Sequence, residues 1–199
     1  MYFLNKLLVS RKLNNFLTLK NSPVLNKYNF AYSEGKLSLN HKGKELISIV
    51  ADDPEQRLLL SSKLTEVESS LKTPLFLLKN NEFPFFDTSH SNNVFNSMSL
   101  INLNSIIDFE KKISKKIEFQ RFRGNFYIDG IEAWEERNWI GEIIKINNIS
   151  FKVEKNIPRC VAINLKPKTN NNTLNLLKFL KITYNHFDMG IYLTALEDG

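Results

Sequence analysis

Apolar side chains recur at every second position over several stretches of this chain, and at helical spacing over three. That mixture predicts a strand-rich protein with a few helices. In "NFAYSEGKLSLN", residues 29–40, Glu34-Gly35 separates two alternating runs and predicts a hairpin. "KELISIV" at 44–50 follows as a further strand. The period then changes. Pro54 suits a first helical turn, and Leu60, Leu64, Val67 and Leu71 predict a helix over 54–71. "LFLLK" after Pro74 is short, apolar and strand-like. "NNEFPFFDTSHSNNVFNS", residues 80–97, reads as a polar loop, and loops of that length are often functional or mobile.

"SLINLNSIIDFEKKI", residues 99–113, reads as a helix with Leu103, Ile106, Ile107 and Ile113 on one face and Asp108 placed to pair with Lys112. "FRGNFYIDG" begins a strand and ends at a turn, and "IEAWEERNWIG" reads as irregular. "EIIKI" and "ISFKVEK" flank Asn147-Asn148, the clearest hairpin in the chain. "NIPRCVAINLKP", residues 156–167, is read as the next strand because Val161, Ile163 and Leu165 alternate. "TLNLLKFLKITYNH" at 173–186 reads as a helix and "GIYLTAL" at 190–196 as a final strand. The expected fold is α+β, mostly β: a β-barrel with peripheral helices rather than a doubly wound sheet.

Composition narrows the partners. Of 199 residues, 42% are apolar and 15 are Phe, enough for a sizeable core, which excludes a disordered chain. Lys and Arg number 27 against 21 Asp and Glu, a net charge of +6 that suits a phosphate-bearing ligand or an acidic partner protein. The lysines are spread out, so no nucleic-acid face is expected. The densest group, Lys111, Lys112, Lys115 and Lys116, reads as a solvated helix end. A single cysteine excludes an intrachain disulfide and zinc sites built from paired cysteines. No run approaches the roughly 18 apolar residues of a membrane span. The N-terminal stretch has no acid before Glu34, as a transit peptide would, but "LLVSR" and "FLTLK" around Asn14-Asn15 read as a strand pair. The expected compartment is the cytoplasm, with the mitochondrion as the alternative. His90 and His186 have no partner at metal spacing and read as satisfied or surface histidines.

The one thiol, Cys160, follows Arg159 directly. On local residues alone it reads first as a small buried hydrophobe. The surrounding order changes that. "RFRGN", "EAWEERNW" and "PRC", followed by "INLKPKT" and a last "FDMGIYL", resembles the MOSC family, named for the C-terminal part of molybdenum cofactor sulfurase. The mitochondrial amidoxime-reducing component and its bacterial relatives share this domain. "FFDTSHSNNVFNSMSLINLNSIIDFEKKI" looks like the family's Asp-Thr-Ser loop and the helix after it, and "NNFLTLKNSPVLNKYNFAY" looks like a strand pair of its β-rich N-terminal region. The resemblance implies such a region over 1–84 and the MOSC domain, a MOSC-like β-barrel, over 85–199.

It also implies that Cys160 is the catalytic molybdenum ligand of a molybdenum cofactor (molybdopterin). Thiolate is a soft ligand that suits a metal already held by pterin sulfurs, and the neighbouring guanidinium favours the thiolate. Cofactor contacts are implied for Arg159, as a planar fork, and for Arg123, Asn125, Asp87, Thr88 and Ser89. Gly124 stands where the family usually has proline, which is expected to loosen the backbone there. Pro158 stands where many members have a small polar residue and removes a donor. Glu136 and Trp139 fit a structural stretch, the Trp packing and the acid pairing, with Arg137 nearby. The family's first strand with its Lys-Ser pair, and the Asp-Arg pattern after it, have no counterpart, and Asp198-Gly199 is a turn with no return strand. A trimmed or incomplete barrel with weakened cofactor binding is therefore expected. The implied function is an oxidoreductase that reduces N-hydroxylated or N-oxide small molecules. Without a flavin or iron–sulfur motif, it would need an external electron-transfer protein or reductase. The alternatives are a non-redox sulfur-carrier or ligand-binding MOSC module, or a degenerate barrel that only pairs with another protein.

Overall fold

The structure is a computed structural model that describes residues 2–4, 16–78 and 97–197. The chain divides into two compact units, one of residues 1–86 with 168–170 and one of residues 87–167 with 171–199.

In the first unit, β1 (Tyr2–Leu4) is followed by a meander of β2 (Tyr28–Ser33), β3 (Lys36–His41) and β4 (Lys44–Val50). Both hairpin turns use left-handed residue pairs: Glu34 and Gly35 at φ 49° and 78°, Lys42 and Gly43 at 51° and 79°. That geometry matches the right-handed twist of the strands. Helix α1 (Pro54–Val67) starts where Asp53 accepts the amides of Glu55 and Gln56. It buries Leu60 and Leu64 against Leu37, Leu39 and Ile49, and it stops four residues short of Leu71. Strand β5 (Phe76–Leu78) pairs antiparallel with β1. "FLTLK" is not a strand. Asn21 Oδ1 accepts the Thr18 amide, and the amides of Asn21 and Ser22 bond back to the Thr18 carbonyl, which closes a turn. "LLVSR" lies outside the described residues, as do Asp198 and Gly199.

The second unit is α+β, built on a curled, barrel-like sheet. Its strands are β6 (Ser97–Asn102), β7 (Phe126–Ile128), β8 (Ile143–Ile146), β9 (Ile149–Pro158) and β10 (Asp188–Ala195), in spatial order β7-β6-β10-β9-β8. The pairs are antiparallel except β6 with β7. Asn147 turns the expected hairpin at φ 54°. Both faces of the sheet are covered. Leu100, Val153, Ile191 and Leu193 form one core; Ile101 and Met189 face the other, packed by α2 (Leu103–Ile113) and α3 (Leu176–Tyr184).

Double coverage explains one correction. Residues 99–102 belong to β6, not to a helix: Leu100 and Ile101 are both buried because they point into different cores. A strand buried on both faces loses its alternation. Asn102 ends it and caps α2 by accepting the Asn104 amide. The expected Asp108–Lys112 pair is present at 3.4 Å, while Ile107 faces solvent and Phe109 takes the buried place. A second correction concerns the stretch after Arg159. Strand β9 ends at Pro158, and Val161–Asn164 form a 3-10 turn in which the Ile163 amide bonds the Cys160 carbonyl. Ile163 and Leu165 are buried as an alternating strand would bury them, but Val161, the first of the alternating three, is exposed, and the backbone is a 3-10 turn.

Candidate functional site

Cys160 stands at the start of that 3-10 turn, extended in its backbone and half-buried. Three arginines fix the ground around it. Arg159 donates from Nη1 to the Phe122 carbonyl at 2.9 Å and from Nε and Nη2 to the Met189 carbonyl. Arg123 donates from Nη1 to the carbonyls of Ala162 at 3.0 Å and Arg121 at 2.9 Å. Arg121, buried, donates to the Asn164 carbonyl at 2.7 Å and to Glu118 at 2.7 Å. Residues 121–123 are thus bonded to 159–164 in both directions. Side chains from each segment satisfy carbonyls of the other, and this locks the backbone that presents the thiol.

The Arg159 fork therefore differs from the expectation: three of its five N–H groups serve backbone carbonyls, and two remain among the described residues. Burial lowers its pKa to about 10, opposed by Tyr192, Tyr127 and Cys160, so it stays a cation at neutral pH. Desolvation likewise lowers Arg123, opposed first by Cys160. Both guanidinium groups lie within electrostatic reach of the thiol.

Gly124 does not loosen the segment. Its amide donates to the Tyr127 hydroxyl at 2.8 Å, and a Cβ there would fall 2.6 Å from Ile101 Cγ1 and 3.1 Å from the Phe126 carbonyl oxygen. A proline at 124 would supply no amide and would collide. Asn125 is held as firmly. Its Oδ1 accepts from the Ser99 amide at 2.9 Å and the Ser99 hydroxyl at 2.8 Å. Those two bonds fix the carboxamide so that Nδ2 points away from Ser99.

Asp87, Thr88, Ser89 and His90 lie outside the described residues. Glu136 is fully buried, and its partners are Asn102 Nδ2 and Ser105 Oγ rather than Arg137. Arg137 instead reaches Asp188 at 3.6 Å and His186 at 2.9 Å. Trp139 packs on the Leu100–Val153 core, as expected of a structural tryptophan. The ring of His186 accepts the Asp188 amide at Nδ1. Sequence reasoning missed Arg121, Tyr127 and Asn164. Arg121 opens the quoted "RFRGN", Tyr127 follows it by two residues, and Asn164 lies four residues past the thiol, so proximity to the quoted stretches was the available signal. Among the described residues, no three His, Cys, Asp or Glu side chains gather as metal ligands, and no helix is long and apolar enough to cross a membrane.

This half of the chain is thus a curled α+β sheet that holds its one thiol between arginine-bonded segments. The MOSC domain model matches residues 87–199, more than half the chain, and the chain belongs to that family. It is similar to "Mitochondrial amidoxime reducing component 2" of Rattus norvegicus, 33% identical over 70 residues, which is 35% of this chain and 20% of the rat protein. The Macaca fascicularis and Homo sapiens proteins of that name are 31% and 29% identical over 65 residues, 33% of this chain and 19% of theirs. The match thus spans about a fifth of the length of these relatives.

Proposed function

We propose that this MOSC domain binds a molybdenum cofactor at Cys160 and serves as an oxidoreductase toward N-hydroxylated or N-oxide small molecules. The observation that carries the reading is a half-buried thiol flanked by two guanidinium groups on hydrogen-bonded backbone. The donor set fits. One soft ligand suits a metal that arrives with its other sulfur ligands on the pterin. Arg123, the outward Nδ2 of Asn125 and the two remaining N–H groups of Arg159 suit phosphate and carbonyl oxygens, which accept such donors. Asp87, Thr88 and Ser89 belong to the same proposal as a loop that offers the Thr88 and Ser89 hydroxyls and backbone N–H groups. When bound, the cofactor supplies two-electron redox chemistry. The protein's part is to ligate, orient and surround it with positive charge. The substrate class follows the relatives' name as amidoxime reducing components, and a separate electron-transfer protein or reductase is the proposed donor. The cytoplasm is the proposed compartment, and the relatives' name keeps the mitochondrion as the alternative.

Elemental analysis tests this directly. Protein purified from a host that makes the cofactor should carry molybdenum, and Cys160→Ser should carry at least about tenfold less, as expected when a metal site loses a key group. Wild-type protein without molybdenum would sink the reading. Cyanolysable sulfur on Cys160 in its place would support the sulfur-carrier alternative, for which a half-buried thiol beside a cation is the favouring feature.

A further inference from the structure

Tyr127 has no part in the roles above. In β7 it pairs with Ile101, and its ring turns to the sheet face that carries Ile101 and Met189, while Phe126 and Ile128 turn to the other. The ring packs edge-on against Phe119 with centroids 4.8 Å apart. The hydroxyl oxygen accepts the Gly124 amide at 2.8 Å. A phenol oxygen that accepts still has its own proton to give. Among the described residues that proton goes to no protein acceptor.

The surroundings suit an acceptor with negative charge. Gly124 lies between Arg123 and Asn125, so the amide that fixes the hydroxyl belongs to the same short segment as both. Tyr127 stands within electrostatic reach of the Arg123 and Arg159 guanidinium groups. Among the described residues, Arg159 meets carbonyls, tyrosines and the thiol but no carboxylate. One residue on from Gly124, the Asn125 carboxamide is turned to offer N–H. Glycine at 124 and tyrosine at 127 act as one device. The glycine gives the room and the amide, and the tyrosine converts that amide into an oriented O–H donor.

We propose that Tyr127 is a ligand-binding residue of the Cys160 site, its hydroxyl donating to an anionic phosphate-type oxygen of the bound group. This rests on the reading that the site takes a phosphate-bearing cofactor. The probe is inorganic phosphate, titrated calorimetrically into cofactor-free full-length protein. Wild type should bind it, and Tyr127→Phe should bind about tenfold more weakly, the scale of one hydrogen bond to a charged group. Phe119→Leu, which removes the ring contact but keeps the hydroxyl, should unfold at lower denaturant concentration with phosphate affinity unchanged. Equal affinity in wild type and Tyr127→Phe overturns the proposal. So does absence of phosphate binding by wild type, or equal loss in Phe119→Leu. Molybdenum content, measured on the same variants, separates the two readings. Normal loading with unchanged phosphate affinity in Tyr127→Phe removes the tyrosine and leaves the cofactor. Absent molybdenum with a Tyr127-dependent phosphate site removes the cofactor and leaves an oxyanion site.

Discussion

At the scale of single residues, two glycines set limits that side-chain chemistry cannot relax. Gly124 has Ile101 on one side and the Phe126 carbonyl on the other, so Gly124→Ala must push Ile101 aside. The expected cost is about 1–3 kcal/mol of stability, the range for an overpacked site. Gly190 is held more tightly: at φ 76° its backbone is left-handed, and an added Cβ would meet the Leu100 carbonyl as well as Ile101. Gly190→Ala adds backbone strain to that collision and should lower the urea midpoint more than Gly124→Ala does. The reverse order in urea melts would show that Ile101, which both would meet, is the softer neighbour at position 190. Position 124 was misread from sequence for a simple reason. The residue type shows that a Cβ is missing, but not that a neighbouring strand fills the space it would occupy. The lone thiol and its arginine were legible because they are adjacent in the chain. The carbonyls that absorb most of Arg159, at Phe122 and Met189, are about thirty residues away or more and left no local trace.

At the scale of elements, Asn164 is the joint between the thiol's turn and α3. Its Oδ1 accepts the Leu177 amide at 3.1 Å, its Nδ2 donates to Asn175 at 3.2 Å, and its carbonyl takes Arg121. Asn175 in turn caps the helix through the Lys178 amide. Asn164→Ala should cost about 1–3 kcal/mol, because it orphans a helix-start amide and releases the cap residue. If the joint also steadies the site, the variant should hold less molybdenum per folded chain while circular dichroism keeps its helix signal. Loss of stability with full metal content would confine Asn164 to a structural role. Element types were readable wherever one face met solvent, as in the β2–β3 hairpin and the β8–β9 hairpin. They failed where both faces were covered, at β6, and where a 3-10 turn and the residue after it happened to bury Ile163 and Leu165. In both cases burial pattern and backbone period parted company, and only long-range pairing could decide.

At the scale of the whole molecule, the charged groups divide by the pH at which they act on stability. Asp108 is raised by burial, but hydrogen bonds from Trp134, Tyr184 and Lys112 outweigh that and hold it below the usual carboxylate range. Glu118 and Glu68 behave alike, burial being outweighed by Arg121 in one case and by Lys27 and Ser70 in the other. Each therefore contributes stability that is complete above the unfolded carboxylate values near 4 and is lost only as pH falls through the lower folded ones. His186 acts earlier. Burial, then Arg137, lowers its pKa below 6.5, with Asp188 opposing and Lys181 adding to the shift. The geometry agrees, since both ring nitrogens face donors, the Asp188 amide at 3.1 Å and Arg137 Nη1 at 2.9 Å. A neutral ring keeps one lone pair for them, and a protonated ring keeps none. From pH 6.5 down to the folded pKa, the unfolded chain binds more protons at this residue than the folded one, so stability falls as pH drops. Urea midpoints should therefore hold steady from pH 8 to 7, decline as pH falls below about 6.5, and drop again below about 4. In His186→Gln the middle decline should vanish while the drop below pH 4 remains. A variant that kept the middle decline would place that titration elsewhere in the chain and would mean that the folded protein accommodates a charged His186 between its two donors.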